Sequence, residues 1–187
     1  RTASNQAGYS PLSSLGKQRR FRKGRRSKAS RKKAENPQMW ITTIWHVSSG
    51  LPWDWRTGRS DSSERTHLLE MIGDLPAGSL VTADAGFIGY EYWNALQQAA
   101  HPFVIRVGAN VKLLKKLGYA RERAGLVYLW PDRMAAKALP PLLLRLIVVS
   151  GNRHPVYLVT SVLDRKSLSD REVIDIYRLR WGIEVFY

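Results

Sequence analysis

The stretch SLVTADAGFIGYEYWNALQQAAHPFVIRV, residues 79–107, decides the fold class of this chain. Apolar and β-branched residues at 79–85 and again at 102–107 predict two short strands. Residues 90–100 between them have apolar side chains at helical spacing, and a His-Pro pair at 101–102 ends that helix. A strand, a helix and a strand in this order predict two parallel strands joined by a crossover helix, the unit of α/β folds.

A β-hairpin is predicted upstream of this unit. MWITTIWHV, residues 39–47, is rich in β-branched and aromatic side chains, SSG at 48–50 marks a turn, and LPWDW at 51–55 continues as a second strand. The tryptophans of the hairpin are expected to pack within it or in the core rather than to stack on nucleic-acid bases. Residues 60–73 follow as a helix that Gly73 can end.

The chain downstream is richer in strands. Strands are predicted over LVYLW (126–130), LRLIVV (144–149) and the run that begins at Val156. A long helix is predicted over 169–187, because Ser169 and Glu172 have the spacing of a capping box. The whole order predicts a mixed α/β sheet of the ribonuclease-H-like type, with antiparallel strands first and parallel strands with crossover helices next. Residues 108–156 would be a β-rich insertion before the final helix.

Length and composition indicate a single globular domain. The chain has 187 residues, of which 44% are hydrophobic, a proportion typical of folded domains. It has no cysteine, which excludes disulfides and thiolate metal sites and is compatible with the cytoplasm. No apolar run approaches the roughly 18–20 residues that a membrane-spanning helix needs, so no membrane partner is expected.

The positive charge is concentrated in one segment. The formal net charge is +15; eleven Lys or Arg and no acidic residue lie at 17–33, whereas 19 basic residues face 15 acidic ones elsewhere. Such a segment favours contact with nucleic acid, since neutralising phosphates releases condensed counterions. A flexible, solvated loop is the alternative. Residues 1–37 are therefore predicted to be a basic, flexible segment. Its candidate DNA contacts are Lys17, Arg19, Arg20, Arg22, Lys23, Arg25 and Arg26.

Asp84 is the first candidate for chemistry. In an extended strand Leu80, Thr82 and Asp84 share one face, and Gly86 opens the following turn. A carboxylate at the carboxyl end of such a strand lies where open α/β sheets bind ligands. The alternative, favoured when this residue is considered alone, is that Asp84 caps a turn or a helix.

The final helix has two stripes at helical spacing. One stripe consists of Tyr177, Arg180, Trp181 and Glu184, and the opposite one of Ile176, Leu179, Ile183 and Phe186. The apolar stripe is expected to face the core, which leaves the Tyr-Arg-Glu stripe free for a ligand. By spacing alone, a solvated face with an Arg180–Glu184 pair is equally expected.

Two motifs carry a resemblance to a known family. YRLRWGIEVFY, residues 177–187, resembles the signature of bacterial insertion-sequence transposases with a DDE catalytic domain, in which Tyr, Arg, Glu and Lys follow at fixed spacing. Tyr177, Arg180 and Glu184 fit it, and the Lys would fall beyond the last residue. LVTADAGFIGYEYW resembles the second carboxylate block of that family, which makes Asp84 the second Asp. The passage WHVSSGLPWDWRTGRSDSSERTHL resembles the region between the first and second carboxylates.

The resemblance implies a metal-dependent DDE-type DNA transposase. Asp84 and Glu184 would be catalytic and would hold Mg²⁺ or Mn²⁺, which prefer oxygen ligands. Tyr177 and Arg180 would grip DNA phosphate near the cut. The enzyme would cleave a strand at the transposon end and transfer the freed 3′-hydroxyl to target DNA. It would work as a homodimer in a synaptic complex, at the nucleoid in the cytoplasm.

The first Asp of the family is expected on the first core strand. No strand pattern is found upstream of Met39, so this Asp is expected before Arg1, and residues 38–187 are expected to be a partial catalytic domain cut from a longer protein. A fragment with two of three carboxylates leaves two alternatives open. One is a ribonuclease-H-like nuclease without transposition, and the other is a non-catalytic nucleic-acid-binding remnant of a decayed element.

Overall fold

The computed structural model describes residues 39–59, 62–108, 118–150 and 154–180 in full, and the backbone of 11–17. Nine strands lie in this part of the chain: β1 (Pro11–Lys17), β2 (Met39–His46), β3 (Leu51–Arg59), β4 (Leu80–Ala83), β5 (Phe103–Arg106), β6 (Tyr119–Arg123), β7 (Leu126–Trp130), β8 (Leu142–Val149) and β9 (Val156–Thr160). Its α-helices are α1 (Glu64–Met71), α2 (Tyr90–Gln98) and α3 (Asp170–Leu179). None of these described helices is long and apolar enough to span a membrane.

All the described strands form one mixed sheet, in the order β3-β2-β1-β4-β5-β9-β8-β7-β6. β1, β4 and β5 are parallel, and the other neighbouring strands are antiparallel. The predicted mixed α/β fold is confirmed, with the β2–β3 hairpin at one edge and the crossover helix α2 between β4 and β5. The β-rich stretch after 108 continues the same sheet, because β9 pairs with β5.

β1 corrects the prediction that all of 1–37 is loop. This strand lies in the middle of the sheet, where Ser14 is paired with Trp45 of β2 and with Thr82 of β4. PLSSLGK has no apolar alternation that distinguishes a strand from a loop. Pairing with two neighbours therefore makes this segment a strand, and local preference does not. The rest of 1–37 lies outside the described residues.

Helices cover both faces of the sheet. On the face that we call the α1–α2 face, alternate strand residues such as Val81, Ala83 and Ile105 pack with the buried sides of α1 and α2. On the opposite face, which we call the α3 face, Leu80 and Val104 pack with α3. The alternation of side chains along each strand separates the two sets.

The helix α3 is turned differently from the prediction. Its predicted capping box is confirmed, because the Ser169 Oγ accepts from the Glu172 backbone N–H and the Glu172 carboxylate accepts from the Ser169 N–H. The prediction that Ile176 and Leu179 face the core is wrong for Leu179, which is 51% exposed, whereas Ile176 is half-buried and packs against the apolar cluster of the α3 face. Tyr177 faces the sheet instead.

The reason for this orientation is a residue upstream. Val173 precedes Tyr177 by four residues and Arg180 by seven, so all three fall on one stripe. Val173 is fully buried, and its apolar contact with the sheet fixes the rotation of the helix. Tyr177 and Arg180 follow it into the interface. Ile183 and Phe186 of the expected core stripe lie outside the described residues.

Candidate active site at the carboxyl end of the central strand

Asp84 directly follows β4, the strand with parallel neighbours on both sides. The residue is half-buried, and its Oδ1 accepts a hydrogen bond of 2.7 Å from the backbone N–H of Gly86. Asp84 thereby caps the 3-10 turn Ala85–Phe87. The turn-capping interpretation is thus correct, and the prediction that Asp84 ends a central strand is confirmed as well. One carboxylate oxygen, Oδ2, has no hydrogen-bond partner in the described part of the chain.

Asp84 belongs to the α3 face of the sheet. Leu80 of the same strand packs with Val173 and Tyr177, and Thr82 follows two residues later with the same orientation. Asp84 is two residues further on. The strand end and the helix that carries the Tyr-Arg stripe are therefore on one side of the sheet.

Tyr177 and Arg180 are buried, whereas their stripe was expected to be free for a ligand or solvated. They are 7% and 3% exposed, and the Arg180 guanidinium carbon lies 5.3 Å from the centroid of the Tyr177 ring. This distance is typical of a cation–π contact. The Tyr177 hydroxyl has no hydrogen-bond partner among the described residues, and the same holds for the buried Thr82 hydroxyl. The α3 face thus buries polar atoms that the described protein groups leave unsatisfied.

Several predicted site residues fall outside the described residues. These are Glu184 and the basic residues Arg19, Arg20, Arg22, Lys23, Arg25 and Arg26. Lys17 is described by its backbone at the end of β1, where it pairs with Thr42. The DNA contacts of the basic segment and the meeting of Asp84 with Glu184 therefore stay predictions.

Arg106 was missed by the sequence reasoning. It is the last residue of β5, and the pairing of Ala83 with Ile105 puts it at the position next to Asp84. It is half-buried, and its Nε atom is buried without a hydrogen-bond partner among the described residues. A charged residue at the end of the apolar run FVIR was the available signal, although strand pairing was needed to bring it beside Asp84.

The first core strand is present in the chain, contrary to the premise that none lies upstream of Met39. β1 occupies that place between β2 and β4, and PLSSLGK contains no acidic residue. The described residues also include no group of three or more His, Cys, Asp or Glu side chains able to hold a metal ion. Asp84 is the carboxylate that the described residues place directly after β4.

The hairpin tryptophans divide into packed and exposed residues. Trp45 is buried, and the Trp53 indole donates to the backbone oxygen of Asp74 at 3.3 Å. The buried Trp45 agrees with the expected packing role. Trp53 and Trp55 agree less well, because they are 45% and 59% exposed on the edge strand β3.

A mixed sheet with an aspartate at the end of its central parallel strand is typical of α/β proteins that bind ligands at strand ends. Residues 10–187 match the family model described as "Transposase DDE domain". The chain therefore belongs to the DDE transposase domain family.

No curated protein matches the chain. Six chains of solved structures do, among them one described as "Cryo-EM structure of piggyBac transposase synaptic complex with hairpin DNA". It is 11% identical, with a TM-score of 0.46, over 79% of this chain and 33% of the other. The chain thus spans about a third of that protein's length.

Proposed function

We propose that this chain is the catalytic core of a cut-and-paste DNA transposase of the bacterial insertion-sequence type, which cleaves strands at transposon ends and transfers the 3′-hydroxyl to target DNA. The observation that carries the proposal is the position of Asp84. It ends the central strand of a DDE-family sheet on the same face as α3, the helix that leads into the Tyr-Arg-Glu motif.

The stripe that α3 turns to the sheet supports Glu184 as the partner of Asp84. Val173, Tyr177 and Arg180 face the sheet, and Glu184 follows Arg180 by four residues. If the helical spacing continues, Glu184 projects from the same side of the helix as Arg180.

The donor set fits a hard divalent cation. Asp84 has an oxygen that no described residue binds, and Glu184 would add a second carboxylate. Mg²⁺ or Mn²⁺, held by Asp84 and Glu184, would supply the positive charge that phosphodiester cleavage needs. The carboxylate is held in place for this because its Oδ1 accepts a hydrogen bond from the Gly86 N–H, which leaves Oδ2 for a cation.

DNA is the proposed partner, held by the basic residues of 17–33 and by the Tyr177–Arg180 pair. Because Arg180 is 3% exposed, a phosphate reaches its guanidinium only after the groups that cover it have moved. The basic segment is the more accessible candidate on charge grounds. Deleting it should flatten the slope of log affinity against log salt. We further propose that the active form is a homodimer that pairs two transposon ends at the nucleoid.

Two alternative functions remain, and the lack of an acidic residue in β1 favours the non-catalytic one. A non-catalytic DNA-binding remnant needs no complete carboxylate set, whereas a nuclease of the same fold needs it but performs no strand transfer. The family match over 10–187 favours the transposase. The first Asp was expected on the first core strand, and β1 takes that place without an acidic residue, so we assign no residue to it.

The test uses the full-length protein with Asp84→Asn and Glu184→Gln. Magnesium-dependent nicking and strand transfer of end-containing DNA should fall by orders of magnitude, while binding of the end survives. The amide oxygen that Asp84→Asn introduces can still accept from the Gly86 N–H, so the turn is kept. The matched control is Asp132→Asn, since Asp132 caps a turn in the same way, by accepting from the N–H groups of Met134 and Ala135.

The outcomes separate the rivals. Loss of nicking and transfer in both site variants, with normal activity of the control, supports the transposase. Nicking that depends on both carboxylates without any strand transfer supports the nuclease. Near-normal nicking by Asp84→Asn or Glu184→Gln assigns the chain to the non-catalytic class.

A further inference from the structure

Arg106 and Asp84 occupy neighbouring positions at the same end of two parallel strands. β4 and β5 pair Thr82 with Val104 and Ala83 with Ile105, and Asp84 and Arg106 are the residues that directly follow this last pair. Paired strands lie about 4.8 Å apart, so both residues continue from backbones at that spacing. On its other side Arg106 pairs with Leu158 of β9.

Both residues have the orientation of the α3 face. Val104 packs with Leu80 and Tyr177 in the α3-face cluster, and Arg106 follows Val104 by two residues. Leu158, the partner of Arg106 in β9, belongs to the same cluster. The guanidinium therefore lies on the side of the sheet where Asp84 ends its strand.

Among the described residues, the Arg106 side chain lacks the partners that other arginines of this fold have. Arg145, on the same face, donates to the carbonyl oxygen of Leu168 and lies 3.7 Å from Asp170. Arg178 pairs with Asp175 at 3.1 Å. The Arg106 side chain has no hydrogen bond or ion pair to any residue that the structure describes, although its Nε is buried. A buried donor without a partner costs stability, and native proteins keep such groups mainly at functional sites.

We infer that Arg106 binds a DNA phosphate beside the Asp84 carboxylate, an assignment that rests on the proposed function. A guanidinium offers two parallel N–H donors that match two phosphate oxygens, and its charge offsets that of the phosphodiester. Arg106 thus complements the carboxylate next to it: Asp84 is suited to a cation, and Arg106 to the anionic backbone that must approach that cation.

The experiment measures binding, so that it does not depend on cleavage. Duplex DNA carrying the element's end is prepared with ordinary phosphates, or with a neutral methylphosphonate at each phosphate around the cut in turn. Full-length wild type, Arg106→Gln and Arg106→Lys are compared in chelator. The control is Arg123→Gln, which removes the same charge from an exposed position on the far edge strand β6.

Arg106→Gln should lower affinity for ordinary end DNA about 10- to 100-fold, the usual effect of losing a charged hydrogen bond, and reduce the salt slope by about one phosphate. One methylphosphonate position should weaken wild type by a similar factor and have no further effect on Arg106→Gln. Arg106→Lys should keep the salt slope with intermediate affinity. The control should bind like wild type.

Two results would overturn the assignment. The first is affinity of Arg106→Gln equal to wild type, or equal sensitivity of both to every neutral phosphate. The second is thermal destabilisation that is shared, without addition, by Arg106→Gln and Glu184→Gln, since this would make Arg106 the ion-pair partner of Glu184. Failure of the proposed function is separate, because it appears as normal nicking by Asp84→Asn whatever the binding result.

Discussion

The two faces of the sheet differ in what they bury. The α1–α2 face is closed by large apolar side chains, such as Trp93 against Phe103 with ring centroids 5.8 Å apart. The α3 face has a smaller apolar cluster, and the buried arginines of the described chain, Arg145 and Arg180, lie there. Apolar burial stabilises a fold, whereas buried charge costs free energy unless it is paired. The comparison indicates that the α1–α2 face supplies the stability that the α3 face needs.

The largest effect should come from the α1–α2 face. Trp93 is 0% exposed, and its indole N–H donates to the Phe87 oxygen at 3.0 Å. Trp93→Ala should lower the free energy of unfolding by about 3–5 kcal/mol, through the cavity and the lost hydrogen bond. Urea denaturation measures it. Trp55→Ala, on the exposed edge strand, should change stability by less than about 0.5 kcal/mol. Equal losses would mean that this face is not the main source of stability.

The next effect concerns Arg145 on the α3 face. Burial lowers the pKa of its guanidinium, and Asp170 partly offsets that effect. Arg145→Ala should lower the free energy of unfolding by about 2–3 kcal/mol, because it leaves a cavity and releases the start of α3. Arg145→Met fills the space without a charge and should cost at least about 1 kcal/mol less. Urea denaturation of both variants measures this difference in stability. A Met variant as unstable as the Ala variant would show that the ion pair itself holds α3.

Much of the α1–α2 face was predictable from the sequence, because periodicity reports burial. The 79–107 unit and the β2–β3 hairpin follow from local patterns, and on the other face the capping box at Ser169 does as well. β1 did not, since PLSSLGK becomes a strand only through pairing with two neighbours. Local preference is weak evidence of structure where tertiary contacts decide.

The α3 face was less predictable, because its apolar and polar residues share one stripe. Asp84 was found by its place at the end of a strand. The rotation of α3 was predicted wrongly, because Tyr177 and Arg180 were assigned to a ligand face. The stripe was drawn from residues 176–186, and Val173, which lies on the same side as Tyr177, was not included. Arg106 was missed, because it approaches Asp84 only through the register of β4 and β5.

A smaller effect is expected at the start of α3. Ser169→Ala should lower the free energy of unfolding by about 1 kcal/mol at neutral pH, since the capping hydroxyl is lost. Hydrogen bonds from the Ser169 hydroxyl, and then from its backbone N–H, lower the pKa of Glu172. A carboxyl whose pKa is lower in the folded state stabilises above its unfolded pKa, and this contribution disappears as pH falls through the folded one.

Thermal melting from about pH 7 to about pH 3 tests this linkage. The wild type should lose more stability below about pH 5 than Glu172→Gln, which has no charge to titrate. Ser169→Ala should lose less than the wild type over the same interval, because Glu172 no longer has its main donor. Parallel curves for all three proteins would show that the capping box does not contribute to the acid sensitivity of the fold.

The smallest effect on stability should come from Thr82, and its size distinguishes a structural from a functional polar group on the α3 face. Thr82 and Thr160 are both buried there, but the Thr160 hydroxyl accepts from the Val162 N–H at 3.2 Å, whereas the Thr82 hydroxyl has no partner in the described part of the chain. Thr160→Val should therefore cost about 1 kcal/mol. Thr82→Val replaces an unsatisfied hydroxyl with a methyl group of similar size, so its unfolding free energy should stay within about 0.5 kcal/mol of wild type or rise. The same two proteins are then assayed for nicking of end-containing DNA.

Because Thr82 precedes Asp84 by two residues on the same face, Thr82→Val should lower nicking while stability is kept. Thr160→Val should lower stability while nicking is kept. If Thr82→Val both destabilises the protein and leaves nicking normal, the buried polar atoms of the α3 face are structural, and the difference between the two faces is one of packing alone.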